Sequence, residues 1–112
     1  MAITQAMATS FKVEILDGIH NFGTGVIRAS TAADVFKLAL FTSSATLSAA
    51  TTAYSTTDEV SSSGTNYTAG GKTLTISQVP TSTGTTAWLD FADVTWESAT
   101  ITANGALIYN ET

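Results

Sequence analysis

The side chains with the clearest chemical potential are His20, the sole histidine, and Asp17, which precedes it by three residues. Together with one of the many serines, they could form a Ser-His-Asp hydrolase triad. That reaction also needs an oxyanion site beside the nucleophile, and no G-x-S-x-G signature occurs in the sequence. A helix dipole stabilises a cation at the helix C-terminus, which is enough to explain a histidine there. We therefore predict a capping or interface role for His20, no catalytic residue and no enzymatic activity.

The nine carboxylates are spread along the chain, apart from the pair Asp58-Glu59 and the trio Asp90, Asp93 and Glu97. Two carboxylates on one hairpin can serve glycoside hydrolysis or hold calcium. No EF-hand spacing appears, however, and charged residues on exposed strands commonly keep a sheet soluble. The absence of cysteine removes disulfides, thiolate nucleophiles and zinc-thiolate sites. We predict no metal and no cofactor.

The pair Gly70-Gly71 is a weak candidate for a phosphate-binding loop. Such a loop precedes a helix, and no helical pattern begins after these glycines. The residues that follow alternate as in a strand, so we predict a tight turn that leads into a strand from Lys72.

Net charge and hydropathy argue against two classes of partner, nucleic acid and membrane. The formal net charge is −5 and only four residues are Lys or Arg, whereas affinity for nucleic acid depends mainly on basic residues. The N-terminal stretch has no basic region of a signal peptide, and no run of about 18 apolar residues occurs. We expect neither nucleic-acid binding nor a membrane span.

The surface is unusually poor in charge. Charged residues make up 12% of the chain, against about 25% in a typical domain. Thr and Ser together supply about 30% of the residues. Short neutral side chains lose little rotamer entropy when two surfaces meet, in contrast to Lys, Glu or Arg. This composition favours association with copies of the chain or with a partner.

One short helix is predicted over residues 9–22. Its apolar residues Phe11, Ile15, Ile19 and Phe22 recur at steps of four, four and three, which places them on one face. Gly18, near the end of this range, makes a helix less stable by about 1 kcal/mol than alanine would.

The rest of the ordered chain is predicted to be β. Alternating apolar residues indicate a central strand over 34–41 and further strands over 72–79, 86–93 and 99–109. Pro80 should end the second of these, and Asn104-Gly105 is interpreted as a bulge inside the last one rather than a hairpin turn. A short strand over 26–28 or a helical turn over 30–33 precedes them. We predict one domain over 1–112, mainly β, an antiparallel β-sandwich or small barrel with one short N-terminal α-helix.

Residues 42–71 form a long segment dominated by Thr, Ser, Ala and Gly. Loops of this length are uncommon inside compact domains. The segment is either a mobile solvated loop or an arm that lies on a neighbour, with Leu47, Tyr54 and Tyr67 as anchors that become buried only on assembly.

Trp88 and Trp96, with Phe91 between them, could form a stacking platform for sugars or bases. Both lie in an alternating strand pattern, and large aromatic residues dominate core burial. We therefore favour core packing for both. A sugar platform remains open for Trp88, because Asp90 lies on the same side of the strand.

Several segments are similar to a known group of proteins. These are F-G-T-G-V-I-R at 22–28, D-V-F-K-L-A-L-F-T at 34–42, Y-T-A-G-G-K-T-L at 67–74, and Trp96 with A-T-I-T-A-N-G-A-L-I-Y-N at 99–110. They resemble small structural proteins of the heads of tailed bacteriophages. The resemblance extends from about Phe11 to Asn110, and its most specific motifs are the Y-T-A-G-G turn and the closing A-L-I-Y-N strand.

The resemblance implies a capsid decoration, or cement, protein. Such a protein is a β-rich subunit, commonly a homotrimer, that is made in the host cytoplasm, binds the major capsid protein on the capsid surface and reinforces the shell. A tail or head-tail connector subunit and a virion-surface carbohydrate-binding module remain as alternatives. We expect the interface with partner or self to use six residues: Phe11, Ile15, Ile19, Leu47, Tyr54 and Tyr67.

Overall fold

A computed structural model describes residues 3–16, 18–22 and 34–112. Its elements, in chain order, are α1 (Thr9–Leu16), β1 (Phe36–Phe41), β2 (Lys72–Leu74), β3 (Ile76–Thr83), β4 (Thr86–Phe91) and β5 (Gly105–Asn110). The predicted class is confirmed: the chain is mainly β, with antiparallel sheets and one short helix, and the strands do not close into a barrel. The strand over 26–28 and the turn over 30–33 lie outside the described residues. No helix within the described ranges is long and apolar enough to span a bilayer.

Strand β1 is the centre of a three-stranded sheet with the order β2-β1-β5, and both pairings are antiparallel. Ala39 and Phe41 are buried on one face, where they pack with Ala45. Phe36 is buried on the opposite face, where its ring stacks on Phe22 with centroids 4.3 Å apart. Both faces of β1 are therefore covered, as its nearly continuous apolar sequence predicts.

Strands β3 and β4 form a separate two-stranded hairpin. Thr83 pairs with Thr86, so Gly84 and Thr85 make a two-residue turn. Gly84 has a φ of 62°, and glycine is the preferred residue at the first central position of a type II′ turn. The hairpin thus follows from its turn sequence.

The prediction that Pro80 ends its strand is wrong, because Pro80 lies within β3. The register of the hairpin shifts between the pairs Gln78–Asp90 and Thr81–Trp88, on either side of the proline. Proline cannot donate a ladder hydrogen bond, but an irregular position in a two-stranded ribbon does not require one.

The prediction of a bulge inside a strand over 99–109 is also wrong. β5 begins at Gly105, directly after Asn104 donates its backbone N–H to the Phe41 carbonyl over 2.9 Å. A Cβ on Gly105 would lie 2.5 Å from Cδ1 of Ile3. The glycine marks a close approach of the N-terminal segment to the start of the strand.

Helix α1 ends earlier than the predicted range 9–22. Gly18 has a φ of 71°, and its N–H donates to the Ile15 carbonyl over 3.0 Å, while the N–H of Ile19 donates to the Glu14 carbonyl over 2.9 Å. These two bonds form the Schellman arrangement, in which a residue with positive φ ends a helix. The extended range is wrong because the glycine reverses the chain before the apolar repeat is complete.

The segment 42–71 contains no strand, but it forms one side of the core. Ala45, Val60 and Tyr67 are buried in it, and the backbone N–H of Val60 donates to the Leu40 carbonyl over 3.0 Å. The expectation that Tyr67 is buried only on assembly is wrong, because this side chain is 2% exposed within a single chain.

Candidate functional site

Glu59 is the centre of a hydrogen-bonded network on the inner side of the segment 42–71. Its carboxylate accepts the Tyr54 hydroxyl over 2.6 Å, the Tyr67 hydroxyl over 2.5 Å and the backbone N–H of Gly70 over 2.8 Å. The Tyr67 oxygen in turn accepts the backbone N–H of Leu40 over 2.9 Å. The network joins the segment to β1. It also gives a hydrogen-bond partner to the backbone N–H of Leu40, which lies beyond the residues of β1 that pair with β2.

The tyrosines of this network are poor acids. Burial, followed by the hydrogen bond to Glu59, raises the pKa of Tyr54 to about 12. The same two causes raise the pKa of Tyr67, and burial raises the pKa of Tyr109. All three hydroxyls remain protonated donors near neutral pH, so the cluster is suited to holding backbone and side chains together.

The Gly70-Gly71 pair forms the tight turn that the sequence predicts. Gly71 donates its N–H to the Thr68 carbonyl over 2.9 Å and has a φ of 82°. A Cβ on Gly71 would lie 1.8 Å from the Leu38 carbonyl oxygen. The Tyr109 hydroxyl closes the turn by donating to the Gly70 carbonyl over 2.7 Å. The Y-T-A-G-G motif therefore positions Tyr67 and the start of β2.

His20 lies just beyond the end of α1, between a carboxylate and an amide. Its Nε2 is 2.8 Å from Glu14 Oε1, and its Nδ1 is 2.9 Å from Asn110 Nδ2. The Asn110 amide oxygen accepts the N–H of Thr112, and its Nδ2 also donates to Asp34. This orientation makes His20 Nδ1 an acceptor, so Nε2 carries the proton and donates to Glu14. The ring joins the helix end to β5 within the same chain, and the capping or interface role stays a prediction.

The acidic residues singled out in the sequence are not brought into one cluster. Asp90 is exposed on β4, and Asp93 and Glu97 are exposed beyond it. Within 3–16, 18–22 and 34–112, no group of three or more His, Cys, Asp or Glu residues is arranged to hold a metal ion.

The two tryptophans differ. Trp96 is half-buried, with its ring centroid 5.7 Å from that of Tyr67 and the Lys72 ammonium 5.6 Å above it. Trp88 is 40% exposed, and its indole N–H donates to the Thr83 hydroxyl over 3.1 Å. Trp96 packs on the buried Tyr67 but is not itself among the buried core residues. Core packing is wrong for Trp88, which lies on the exposed face of β4.

The six predicted interface residues fall into three groups. Tyr67 belongs to the core of its own chain. Phe11, Leu47 and Tyr54 are half-buried against neighbouring parts of the chain. Ile15 and Ile19 are exposed, so their side chains are accessible to a partner, and their predicted role stays a prediction.

Helix α1 buries none of its residues. Its exposed apolar residues include Val13, Ile15 and Leu16, and the exposed Ile19 lies three residues beyond the helix end. We call these four residues the helix patch. Val13 and Leu16 lie three positions apart on one side of the helix, Ile15 lies on a neighbouring side, and Ile19 lies beyond the reversal at Gly18. The sequence reasoning missed Val13 and Leu16 because it assigned the apolar face of the helix to Phe11 and its four-residue repeat.

An open cleft of about 1010 Å³ lies between the N-terminal segment 3–8, β5 and the base of the β3–β4 hairpin. Its apolar lining includes Ile3, Met7, Phe11, Leu89, Phe91 and Ile108. None of its described lining residues is Asp, Glu, Lys or Arg. The cleft therefore suits an uncharged occupant.

No protein-family model, curated protein or solved structure matches this chain.

Proposed function

We propose that this chain is a decoration, or cement, subunit of a tailed-bacteriophage head. It is made in the host cytoplasm, binds the major capsid protein on the outer surface of the capsid as a homo-oligomer, with three copies as the expected number, and stabilises the shell. The proposal needs no catalytic residue, metal or cofactor. It rests on contact surfaces rather than on a reaction.

The helix patch is the observation that carries the proposal. Leu16 is 88% exposed, and Val13, Ile15 and Ile19 are each about half exposed. Eight residues form a helix of about two turns, and isolated helices shorter than about 12 residues are marginal in water. Such a helix is normally held by burial of its apolar side. In this chain Phe11 packs against His20 and Phe22, but Val13, Ile15 and Leu16 stay exposed. A partner surface that covers the patch supplies that burial.

The low charge of the surface supports the same function. Contacts made by Thr, Ser and Ala immobilise few flexible side chains, so each interface loses little entropy on forming. Many copies on one symmetric shell also bind more tightly than one copy, because contacts between neighbours raise the effective concentration. The resulting mechanism is mechanical: each subunit bridges adjacent capsid proteins and resists their separation.

Co-sedimentation with expanded, undecorated heads of the encoding phage tests the proposal. We expect saturation at a copy number that is a simple fraction or multiple of the major capsid protein. We also expect decorated heads to withstand heating that breaks undecorated ones. Absence of binding contradicts the proposal, and assembly of the free chain into tubes or large rings favours a tail or connector subunit instead.

A carbohydrate-binding module is the second candidate, because Trp88 is exposed. Asp90 lies two residues further along β4 and is exposed on the same face. An aromatic ring beside a polar side chain is a common sugar-binding arrangement. A glycan array with wild type and Trp88→Ala tests it: binding that is lost in the variant supports the module, and absence of binding by the wild type eliminates it.

A further inference from the structure

We propose that the tip of the β3–β4 hairpin of one copy docks into the apolar cleft of a second copy, so that subunits join head to tail. The inference deepens the proposed function by naming the surfaces that hold the homo-oligomer together. We define the hairpin tip as residues 79–88. The cleft is the one bounded by the segment 3–8, β5 and the hairpin base.

No other described strand or helix packs extensively on the hairpin tip. All of residues 79–88 are exposed, and the extensive contacts of β3 and β4 are with each other. Val79 and Trp88 are large apolar side chains in this tip. An isolated two-stranded hairpin is at best marginally stable in water, so a ribbon of this kind gains order when another surface covers it.

Both surfaces lack charged side chains among their described residues. The sequence has no Asp, Glu, Lys or Arg between Thr73 and Leu89, and the described lining of the cleft has none either. Copies with a formal charge of −5 repel each other at long range. Contact is least opposed where neither surface is charged, and the described part of the cleft, which has no charged side chain, would reject a charged segment because of its desolvation cost. Other stretches of the chain also lack charge, but the hairpin tip is exposed at every residue from 79 to 88 and is already extended, so we assign the hairpin of another copy as the occupant.

The backbone of the cleft wall can also pair with an incoming strand. Among the described strands, β5 lies at an edge of its sheet, and its residues line the cleft from Gly105 to Asn110. The N–H of Glu111 bonds to the Val35 carbonyl, so by alternation the backbone groups of Ala106 and Ile108 point away from β1. The edge carries no charge or proline that would block pairing. An extended strand can therefore add to β5 by main-chain hydrogen bonds.

The position of the hairpin favours a head-to-tail arrangement. Leu89 and Phe91, at the base of the hairpin, line the cleft of their own chain, while the tip extends beyond it. Each copy thus presents one cleft and one tip, which are different surfaces. Copies that join through two different surfaces form a closed ring when the rotation from one copy to the next divides evenly into a full turn.

Two substitutions each disrupt one of the two surfaces: Trp88→Asp changes the hairpin tip, and Ile108→Lys changes the cleft. Trp88 is 40% and Ile108 54% exposed, so both variants should fold, and circular dichroism and thermal unfolding check this. Val35→Lys is the matched control, because Val35 is also exposed and lies outside both surfaces. Oligomeric mass is measured by sedimentation velocity on the full chain without capsids.

We expect the wild type and Val35→Lys to be oligomers. Each of the other variants should associate at least about thirtyfold more weakly, as for loss of an interface hot spot. An equimolar mixture of Trp88→Asp and Ile108→Lys should form dimers, because one intact tip and one intact cleft remain. Oligomers in both single variants, a monomeric wild type, or a mixture that stays monomeric overturns the proposal. Self-association is measured without capsids, so these outcomes do not depend on capsid binding. Whether the chain binds heads is tested separately, by co-sedimentation.

Discussion

The Tyr67 hydroxyl donates a hydrogen bond of 2.5 Å to Glu59 Oε2 while it accepts the N–H of Leu40 over 2.9 Å. A side chain from the Y-T-A-G-G motif thereby bonds both to a carboxylate of the segment 42–71 and to the backbone of the central strand. The same carboxylate oxygen accepts the N–H of Gly70. One acidic residue therefore fixes the position of the motif relative to β1.

Removal of that carboxylate should destabilise the fold strongly. Glu59→Ala leaves the Tyr67 hydroxyl, which is almost fully buried, and the Gly70 N–H without their acceptor. Hydrogen bonds to charged groups contribute about 1.5–3 kcal/mol each, and we expect a loss of about 3 kcal/mol in the free energy of unfolding. Urea denaturation measures it.

Glu111→Ala is the matched control for this carboxylate. Glu111 forms an exposed ion pair with Lys37 over 3.1 Å, and such pairs contribute about 0–1 kcal/mol. Equal losses for the two variants would show that the network around Glu59 contributes no more than a surface ion pair.

Stability should fall at alkaline pH because of the tyrosines. The pKa of Tyr54 is raised from 10.0 to about 12 in the folded chain. A raised pKa means that the folded state favours the protonated hydroxyl, so this contribution is fully present below pH 10 and is lost as the pH rises through about 12. Tyr67 and Tyr109 are shifted in the same direction.

Urea denaturation at a series of pH values between 8 and 12 measures this dependence. Tyr54→Phe is the control, since it removes one of the three titrating hydroxyls. The variant should show a shallower decline than the wild type above pH 10. A stability that is flat between pH 10 and 12 in the wild type contradicts the assignment.

Gly71→Ala should prevent folding or lower the free energy of unfolding by about 4 kcal/mol. The added Cβ would lie 1.8 Å from the Leu38 carbonyl oxygen, and the residue has a φ of 82°. Backbone strain and overpacking contribute about 1–3 kcal/mol each. Gly64→Ala is the control: its φ is 68°, but nothing lies within 4 Å of the added Cβ. Gly64→Ala should lower the free energy of unfolding by about 1 kcal/mol. Thermal unfolding of the two variants measures the difference.

The sequence predicts those parts of the fold that depend on local patterns. The central strand over 34–41 follows from a run of apolar residues on both faces, and the turn at Gly70-Gly71 follows from its glycines. The end of α1 was readable in principle, because Gly18 is the residue type that ends helices. The apolar repeat that continues past it, through Ile19, outweighed that signal.

Long-range contacts are not readable from the same patterns. Nothing local indicates that Glu59 meets Tyr67 or that Ile3 approaches Gly105, because these contacts depend on where the irregular segments pass over the sheet. The exposure of Trp88 was missed for a related reason. Alternation along β4 shows that two faces exist, but the number of covering layers is a property of the whole fold.

Leu16→Lys should weaken capsid binding while leaving the subunit intact. Leu16 is the most exposed residue of the helix patch, at 88%, and it lies in the last turn of α1, where the helix dipole favours a cation. We expect a stability change within about 0.5 kcal/mol, as is usual for surface positions.

The binding assay for this variant is co-sedimentation with expanded heads, and the affinity should fall at least about tenfold because a charge in the interface core must be desolvated. Val35→Lys introduces the same charge at an exposed apolar site outside the patch and should bind like the wild type. The self-association of Leu16→Lys should also be unchanged, because Leu16 lines no part of the cleft. If the variant binds heads with wild-type affinity, the helix patch is not the capsid-binding surface, and another exposed surface of the chain must make that contact.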